Sequence, residues 1–399
     1  MLFSSSLIAL VAAFPALVSA APARFFGKRA AADVLVFKFA DVLEQLESEF
    51  YKQALGKFKD NDFTTAGFSS SQVPIEQFLT IQEDESTHST VLQAALRSFG
   101  EQPITSCKFK FDSALTDVAT MAATARVVEA VGVGAYLGGA TLITDPVLLD
   151  AAASILTVEA RHQTILNILS STGTAVPSAF DIALTPSEVL ALAGPFIDGP
   201  CDLGIPANTP LSLTNTGIVG PGTKLSFSTS AITSSNDTSK FFCQMMLGGQ
   251  FASIPLPFDN CVVPAGINGP VAIFITSDGQ PLINNVRDRA TTQLVAGPTM
   301  AFIDTKPQML GQISRLNLAA PVQSSSTRTI SPSEASSIIA GASSTSAAAS
   351  PAATGSSGSE PAPSTGVNTA SAPAVPGTPN TFTGKSSDGA ITVNGWVGL

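Results

Sequence analysis

The sequence predicts an α+β fold in which a bundle of four helices is followed by a small antiparallel β-sandwich-like domain and a disordered tail. Between residues 31 and 172, apolar residues recur in stripes at the roughly 3.6-residue spacing of amphipathic helices. From residue 205 to 320, short runs alternate apolar and polar residues, as strands do. Residues 323–399 are mainly Ser, Ala, Thr, Pro and Gly, a composition that cannot bury enough apolar surface to fold.

The N-terminus has the features of a secretory signal peptide over residues 1–20. An apolar run at residues 7–18 ends in the small residues VSA, and it is shorter than the roughly 20 residues of a membrane-spanning helix. The dibasic pair at residues 28–29 then predicts cleavage of a propeptide over residues 21–29, although the pair also fits an ordinary linker. We find no later apolar run that predicts a transmembrane segment, so we expect a protein secreted to the extracellular space or the cell wall.

A linker with one short helix is predicted between the helical and β-rich parts, over residues 173–204. Thr185 and Glu188 have the spacing of a capping box, and a proline occupies the first helical position after Thr185. This pattern predicts a helix over Pro186–Ala193.

The net charge of −10 and the absence of a basic stripe argue against a nucleic-acid partner. Four cysteines in a secreted chain favour two disulfides, for which three pairings exist. Short separation favours Cys243–Cys261, which leaves Cys107–Cys201. One glycosylation sequon, at Asn236, lies in a Ser/Thr-rich stretch that is typical of a loop.

Both histidines of the chain stand three residues after a glutamate. A helix places such residues on one face, with Cβ atoms roughly 5–6 Å apart, so each pair aims a carboxylate and an imidazole at the same point. A further glutamate lies in the apolar stripe of each of the other two helices. Two such pairs with two further glutamates are the ligand set of a di-iron or di-manganese four-helix bundle. The six predicted metal ligands are Glu44, Glu85, His88, Glu129, Glu159 and His162.

These ligands lie within apolar stripes, where an uncompensated charge is costly. Four carboxylates carry about four negative charges, which two divalent ions would neutralise. Mixed carboxylate and imidazole ligands suit iron or manganese, and the lack of thiolate argues against copper(I) and structural zinc. One such glutamate–histidine pair alone is more often a solvated helix face, so the prediction depends on the whole set.

Three further residues are predicted beside the ligands. Glu47 is one helical turn from Glu44 and either replaces it as a ligand or supports it. Tyr51 and Tyr136 each follow a glutamate by seven residues, and this internal repeat favours Glu44. We expect both tyrosines to pack beside the ligands and to satisfy their hydroxyls there.

Several stretches resemble one known family. They are LEQLESEFY at residues 43–51, GAYLG at 134–138, EARH at 159–162, LTPSE at 184–188 and VAGP at 295–298. Together they resemble the ferritin-like proteins of fungal stress response and sexual development, which are similar to desiccation-related proteins. The resemblance covers about residues 31–304, and it implies a ferritin-like bundle with a β-rich C-terminal part but no settled reaction.

Two classes of function follow. In the first, the protein is a secreted di-metal carboxylate protein that reacts with oxygen, peroxide or ferrous iron, with Glu44 and Glu129 bridging or capping the metals. In the second, the bundle is a non-catalytic scaffold of the cell surface, and the low-complexity tail is its stalk. An iron-storage cage is a weaker third hypothesis, because the extra domain and tail would crowd the outer faces of the bundle.

Overall fold

The computed structural model describes residues 31–170, 172–233 and 237–315, together with two short strands near the C-terminus. The predicted signal peptide, the propeptide, the sequon at Asn236 and most of the predicted tail lie outside the described residues. The chain divides into two compact units, Met1–Gln323 and Ser324–Leu399. In the second unit, β9 (Gly384–Lys385) pairs with β10 (Thr392–Val393) in an antiparallel ladder that the sequence analysis did not anticipate.

The N-terminal part of the first unit is helical, as predicted. Its helices are α1 (Ala31–Lys57), α2 (Asp60–Thr65), α3 (Gln72–Ser98), α4 (Val118–Ala140) and α5 (Pro146–Leu169). Helix α1 packs mainly along α3, and α4 packs mainly along α5. Further contacts join α1 to α4 and α3 to α5, so each long helix meets two others. We call α1, α3, α4 and α5 the bundle.

Local signals fix the ends of the bundle helices. The Asp117 carboxylate accepts a hydrogen bond from the Thr120 N–H at the start of α4. The Asp145 carboxylate accepts from the Val147 N–H at the start of α5, where a proline fills the first helical position. These caps satisfy backbone donors that have no partner within the helix.

A single sheet forms the centre of the β-rich part. Strands β5 (Phe242–Met246), β6 (Ile254–Pro257), β7 (Gly269–Thr276) and β8 (Leu294–Ile303) pair antiparallel in the order β6-β5-β7-β8. Two smaller ladders join β1 (Lys108–Phe109) to β2 (Ile197–Asp198) and β3 (Ser212–Leu213) to β4 (Phe227–Ser228). Helices α6 (Pro186–Ala193) and α7 (Met309–Ser314) complete the first unit.

The sheet is covered on both faces. Ile273 and Ile275 point to a core shared with Leu211 and Leu225, from the region of the β3–β4 ladder. Phe274, which alternates with them, points to a core shared with α6 and the bundle. The antiparallel strands are therefore as predicted. The second layer differs from a full sandwich sheet, because a two-stranded ladder covers one face and helices cover the other.

Both predicted disulfides are formed. Cys107 precedes β1 and bonds to Cys201, which follows β2, so this bond closes the β1–β2 ladder. Cys243, on β5, bonds to Cys261 within the core that faces the β3–β4 ladder.

Two buried ion pairs join the sheet region to the helices. The capping box of α6 forms as predicted, and its Glu188 also pairs with Arg289, both side chains being 1% exposed. Arg126 of α4 donates through both terminal nitrogens to Asp304, just after β8, at 2.7 and 2.8 Å. Such a bidentate pair fixes orientation as well as distance, so the sheet is held in a set position against the bundle.

Helix α4 lies at the centre of these contacts. Among the described residues it is the helix that is long and apolar enough to cross a membrane, which the sequence analysis overlooked, and 61% of its most apolar window is buried within the protein.

One face of α4 carries Gly134 and Gly138, against which Leu184 lies. The Leu184 N–H donates to the Gly134 carbonyl at 2.9 Å. The glycines permit a close backbone approach that a side chain would block.

We expect Gly138→Ala to lower the free energy of unfolding by about 1–3 kcal/mol, the usual effect of overpacking. An added Cβ would overlap the Leu184 carbonyl oxygen, which is backbone and cannot rotate away. Gly56→Ala, on α1, is the matched control, because no atom lies within 4 Å of its added Cβ. There the lower flexibility of alanine should leave stability unchanged or slightly raised. Chemical denaturation of both variants measures the difference, and equal effects would contradict the packing argument.

Candidate metal centre

The bundle brings the six predicted ligands to one place at its centre. Each long helix contributes: α1 supplies Glu44, α4 supplies Glu129, and α3 and α5 each supply one glutamate–histidine pair. The four glutamates are fully buried, whereas His162 is 5% exposed and His88 is slightly more open. Each of these residues lies on the inner stripe of its helix, which is why a 3.6-residue period in the sequence locates them.

The six residues form two overlapping groups. Within each group, one ligand atom from every residue lies within 4.8 Å of the others. The first group is Glu44, Glu85, His88 and Glu159, and the second is Glu85, Glu129, Glu159 and His162. Glu85 and Glu159 belong to both groups. We call the two ends the His88 position and the His162 position.

The shared glutamates refine the expected roles. From the sequence, Glu44 and Glu129 were expected either to bridge the metals or to cap them. Each of these residues belongs to one group alone, so the geometry favours capping. Glu85 and Glu159, the glutamates of the two pairs, belong to both groups and so lie between the two positions.

The imidazoles point their Nδ1 atoms at carboxylate oxygens. His88 Nδ1 lies 3.0 Å from Glu85 Oε2 and 3.2 Å from Glu44 Oε2. His162 Nδ1 lies 2.7 Å from Glu85 Oε1 and 3.3 Å from Glu129 Oε2, without hydrogen-bonding geometry.

Several ligand atoms at this centre are buried without a hydrogen-bond partner. They are Oε1 of Glu85, Oε2 of Glu129, both carboxylate oxygens of Glu159 and Nδ1 of His162. Buried polar atoms without partners are rare in folded proteins and costly. Oxygen and imidazole nitrogen are also the donors that iron and manganese bind. The residues present therefore fit a metal centre.

The two tyrosines hold the capping glutamates across the bundle. Tyr51 of α1 donates to Glu129 Oε1 of α4 at 2.6 Å. Tyr136 of α4 donates in a short hydrogen bond to Glu44 Oε1 of α1. Each tyrosine thus orients the glutamate of the opposite helix and leaves that carboxylate's second oxygen facing the centre.

Glu47 is a fifth buried carboxylate, 4% exposed, and it belongs to neither group. It lies beside Gly132, whose added Cβ would be 3.0 Å from Glu47 Oε1 and 2.5 Å from Glu159 Oε2. The glycine therefore provides the space that the Glu159 carboxylate occupies. Because Glu47 belongs to neither group, Glu44 is favoured over Glu47 as the ligand. The space that the Glu159 carboxylate needs explains why a glycine occupies position 132 of α4.

The carboxylates raise one another's proton affinity. Burial raises the pKa values of Glu47, Glu85 and Glu159 well above their usual range, and the negative charges of neighbouring glutamates raise them further. Protonation or bound cations are the two ways to reduce this repulsion.

The carboxylates also raise the pKa values of the two histidines. Burial acts to lower the pKa of His162, but the adjacent Glu129 and Glu159 outweigh it and raise the value to about 9. The pKa of His88 is raised in the same sense, with Glu44 as the main neighbour.

A further residue beside the candidate ligands, Asp84, was not predicted from the sequence. Asp84 Oδ2 lies 3.1 Å from His162 Nε2, on the side of the ring away from the centre. The sequence does place Asp84 directly before Glu85. At this position of α3 its side chain lies toward α5 rather than on the inner stripe. Asp84 and both histidines line a cavity of about 310 Å³ between α3 and α5. The other lining residues are Gln77, Thr80, Ile81, Val158, Arg161 and Ile165.

Comparison with known families agrees with this geometry. Residues 32–172 match the ferritin-like domain family. The bundle is a ferritin-like domain. The match begins at α1 and ends just after α5, so it includes all six predicted ligands. No curated protein shows a significant match to the chain.

The pH dependence of the metal-free protein tests the electrostatic arrangement. Glutamates with raised pKa values keep protons in the folded state that the unfolded chain releases above about pH 4.5. His162 acts in the same direction between its ordinary 6.5 and about 9. A folded state that binds more protons loses stability as pH rises.

We therefore expect the free energy of unfolding to fall steadily from about pH 4.5 to about pH 9 in chelator-treated protein. Chemical denaturation at several pH values measures it. Glu47→Gln, which removes one of these protons, should make the slope shallower. Stability that rises with pH would contradict the buried-carboxylate description.

Proposed function

We propose that the protein is a di-metal carboxylate protein that binds two divalent iron or manganese ions in its ferritin-like domain. Glu44 and His88 would hold one ion, and Glu129 and His162 the other, with Glu85 and Glu159 between them. The observation that carries this proposal is the set of unpartnered buried ligand atoms that converge at the centre of the bundle. A scaffold without metal has no use for so costly an arrangement.

Redox-active ions bound here would supply electron transfer to oxygen or peroxide, or oxidation of ferrous iron. The protein side chains determine which reactants arrive. Polar residues, including Thr80 and Arg161, line the cavity outside the two histidines, so small polar reactants can approach. The apolar packing of the bundle on its other sides excludes larger molecules. The tyrosines and Asp84 keep the ligands in place during the reaction.

We infer a protective role outside the cell, which the resemblance to stress-response, sexual-development and desiccation-related proteins supports. A signal peptide, a glycosylated Asn236 and an O-glycosylated stalk over residues 323–399 would fit a secreted or wall-associated protein. Removal of peroxide or ferrous iron would then limit oxidative damage at the cell surface.

The alternative is a non-catalytic scaffold in which any metal is structural. Structural metal sites are usually closed, whereas reactive sites keep access to solvent. The cavity of about 310 Å³ reaches both imidazoles, which favours a site that exchanges reactants.

We expect about two equivalents of iron or manganese per chain in protein secreted from a metal-replete medium. The double variant His88→Ala/His162→Ala removes one ligand from each position, so it should retain less than half an equivalent and lose turnover of peroxide and ferrous iron. Elemental analysis, followed by oxygen and peroxide assays, measures both.

Ser86→Ala is the matched control, because Ser86 lies within the first glutamate–histidine pair but is exposed. It should keep metal and turnover. Wild-type protein with less than half an equivalent of either metal would overturn the proposal. Full occupancy without turnover would favour the scaffold.

A further inference from the structure

The two metal positions have nearly the same ligands but different surroundings. Each has a capping glutamate, a histidine and a tyrosine that donates to that glutamate from the opposite helix. Glu85 and Glu159 belong to both metal positions. The difference lies outside the ligands, at the residue that precedes each shared glutamate.

That residue is Asp84 on α3 and Val158 on α5. Asp84 meets His162 Nε2 at 3.1 Å, and its side chain is 41% exposed at the cavity. Val158 occupies the corresponding place toward His88 and lines the same cavity. Among the described residues, no acceptor of a hydrogen bond from His88 Nε2 is found. Asp84 therefore holds the His162 ring on the side away from the centre. His88 has no such contact among the described residues.

A carboxylate behind a histidine has a defined chemical effect. It accepts the Nε2–H, which fixes the tautomer in which the Nδ1 lone pair faces the centre. It also fixes the plane of the ring and increases the electron donation of the coordinating nitrogen. Nδ1 of His162 is buried and has no hydrogen-bond partner, so the ring already has the orientation that a metal requires.

We propose that Asp84 is a positioning residue that makes the two positions unequal, so that the His162 position binds a divalent ion more tightly and fills first. This inference rests on the proposed function, because it assumes that the centre binds two ions. The His88 position, whose histidine lacks a carboxylate behind it and has the more exposed side chain (12% against 6% for His162), is the one that exchanges its ion.

Cobalt(II) titration of metal-free protein tests the proposal, since the visible absorption of cobalt reports the geometry of each bound ion. Wild-type protein should bind two equivalents in two resolved steps. His162→Ala should remove the tighter step, and His88→Ala should remove the weaker one.

Asp84→Ala should weaken the tighter step by about 10–100-fold, the usual cost of losing such a support, and change its cobalt spectrum. The weaker step should keep its affinity. Asp84→Asn retains an amide oxygen that accepts from Nε2–H, so it should recover part of the loss. Glu83→Ala is the matched control, because it removes an exposed carboxylate one residue away and should change neither step. Val158→Asp supplies the missing carboxylate to His88 and should narrow the gap between the steps.

The outcomes separate the two proposals. Wild-type protein that binds no cobalt would overturn the metal centre itself and this inference with it. Two bound equivalents with identical affinities, or an Asp84→Ala variant whose tighter step is unchanged, would overturn the inequality alone. Because Asp84 is partly exposed, circular dichroism should show a folded variant, which separates lost positioning from lost structure.

Discussion

Mutual repulsion among buried carboxylates is the constraint on which the rest of the structure depends. Four glutamates of the centre and Glu47 lie inside one bundle, where each ionised group without a partner would cost several kcal/mol. The surrounding residues reduce that cost in different ways. Two tyrosines donate hydrogen bonds, two histidines offer nitrogen atoms, and Gly132 leaves space for a carboxylate.

The convergence of the six candidate ligands could be predicted from the sequence because it follows from helix geometry. A glutamate three residues before a histidine projects from the same face, and the four apolar stripes direct those faces inward. The seven-residue spacing linked Tyr51 with Glu44 and Tyr136 with Glu129 along the sequence, whereas in the structure each tyrosine donates to the glutamate of the opposite helix. The crossed pairing became visible in the structure, because it depends on how α1 and α4 pack rather than on either helix.

Features that depend on the register between elements were not predictable. The way α3 faces α5 determines which glutamates lie between the two positions. It also determines the contact of Asp84 with His162. Similarly, the apolar run that contains Ile273, Phe274 and Ile275 is typical of a strand that is buried on both faces. It did not reveal that α6 covers one of them, because a strand buried on both sides has the same pattern whether a sheet or a helix covers it. The hydropathy of α4 alone does not distinguish a core helix from a membrane helix, since the two differ in surroundings rather than in composition.

The bidentate contact of Arg126 with Asp304 has a consequence for any attempt to isolate the bundle. Arg126 is one turn before the candidate ligand Glu129, yet its partner lies far beyond residue 172, where the match to the ferritin-like domain family ends. Transferred alone to another protein, the helical segment would carry a buried guanidinium without Asp304 and a glycine face without Leu184 to cover it. The end of the matched segment and the end of the packed unit therefore do not coincide. A substitution near residue 304 would act on the same helix as a substitution at Glu129.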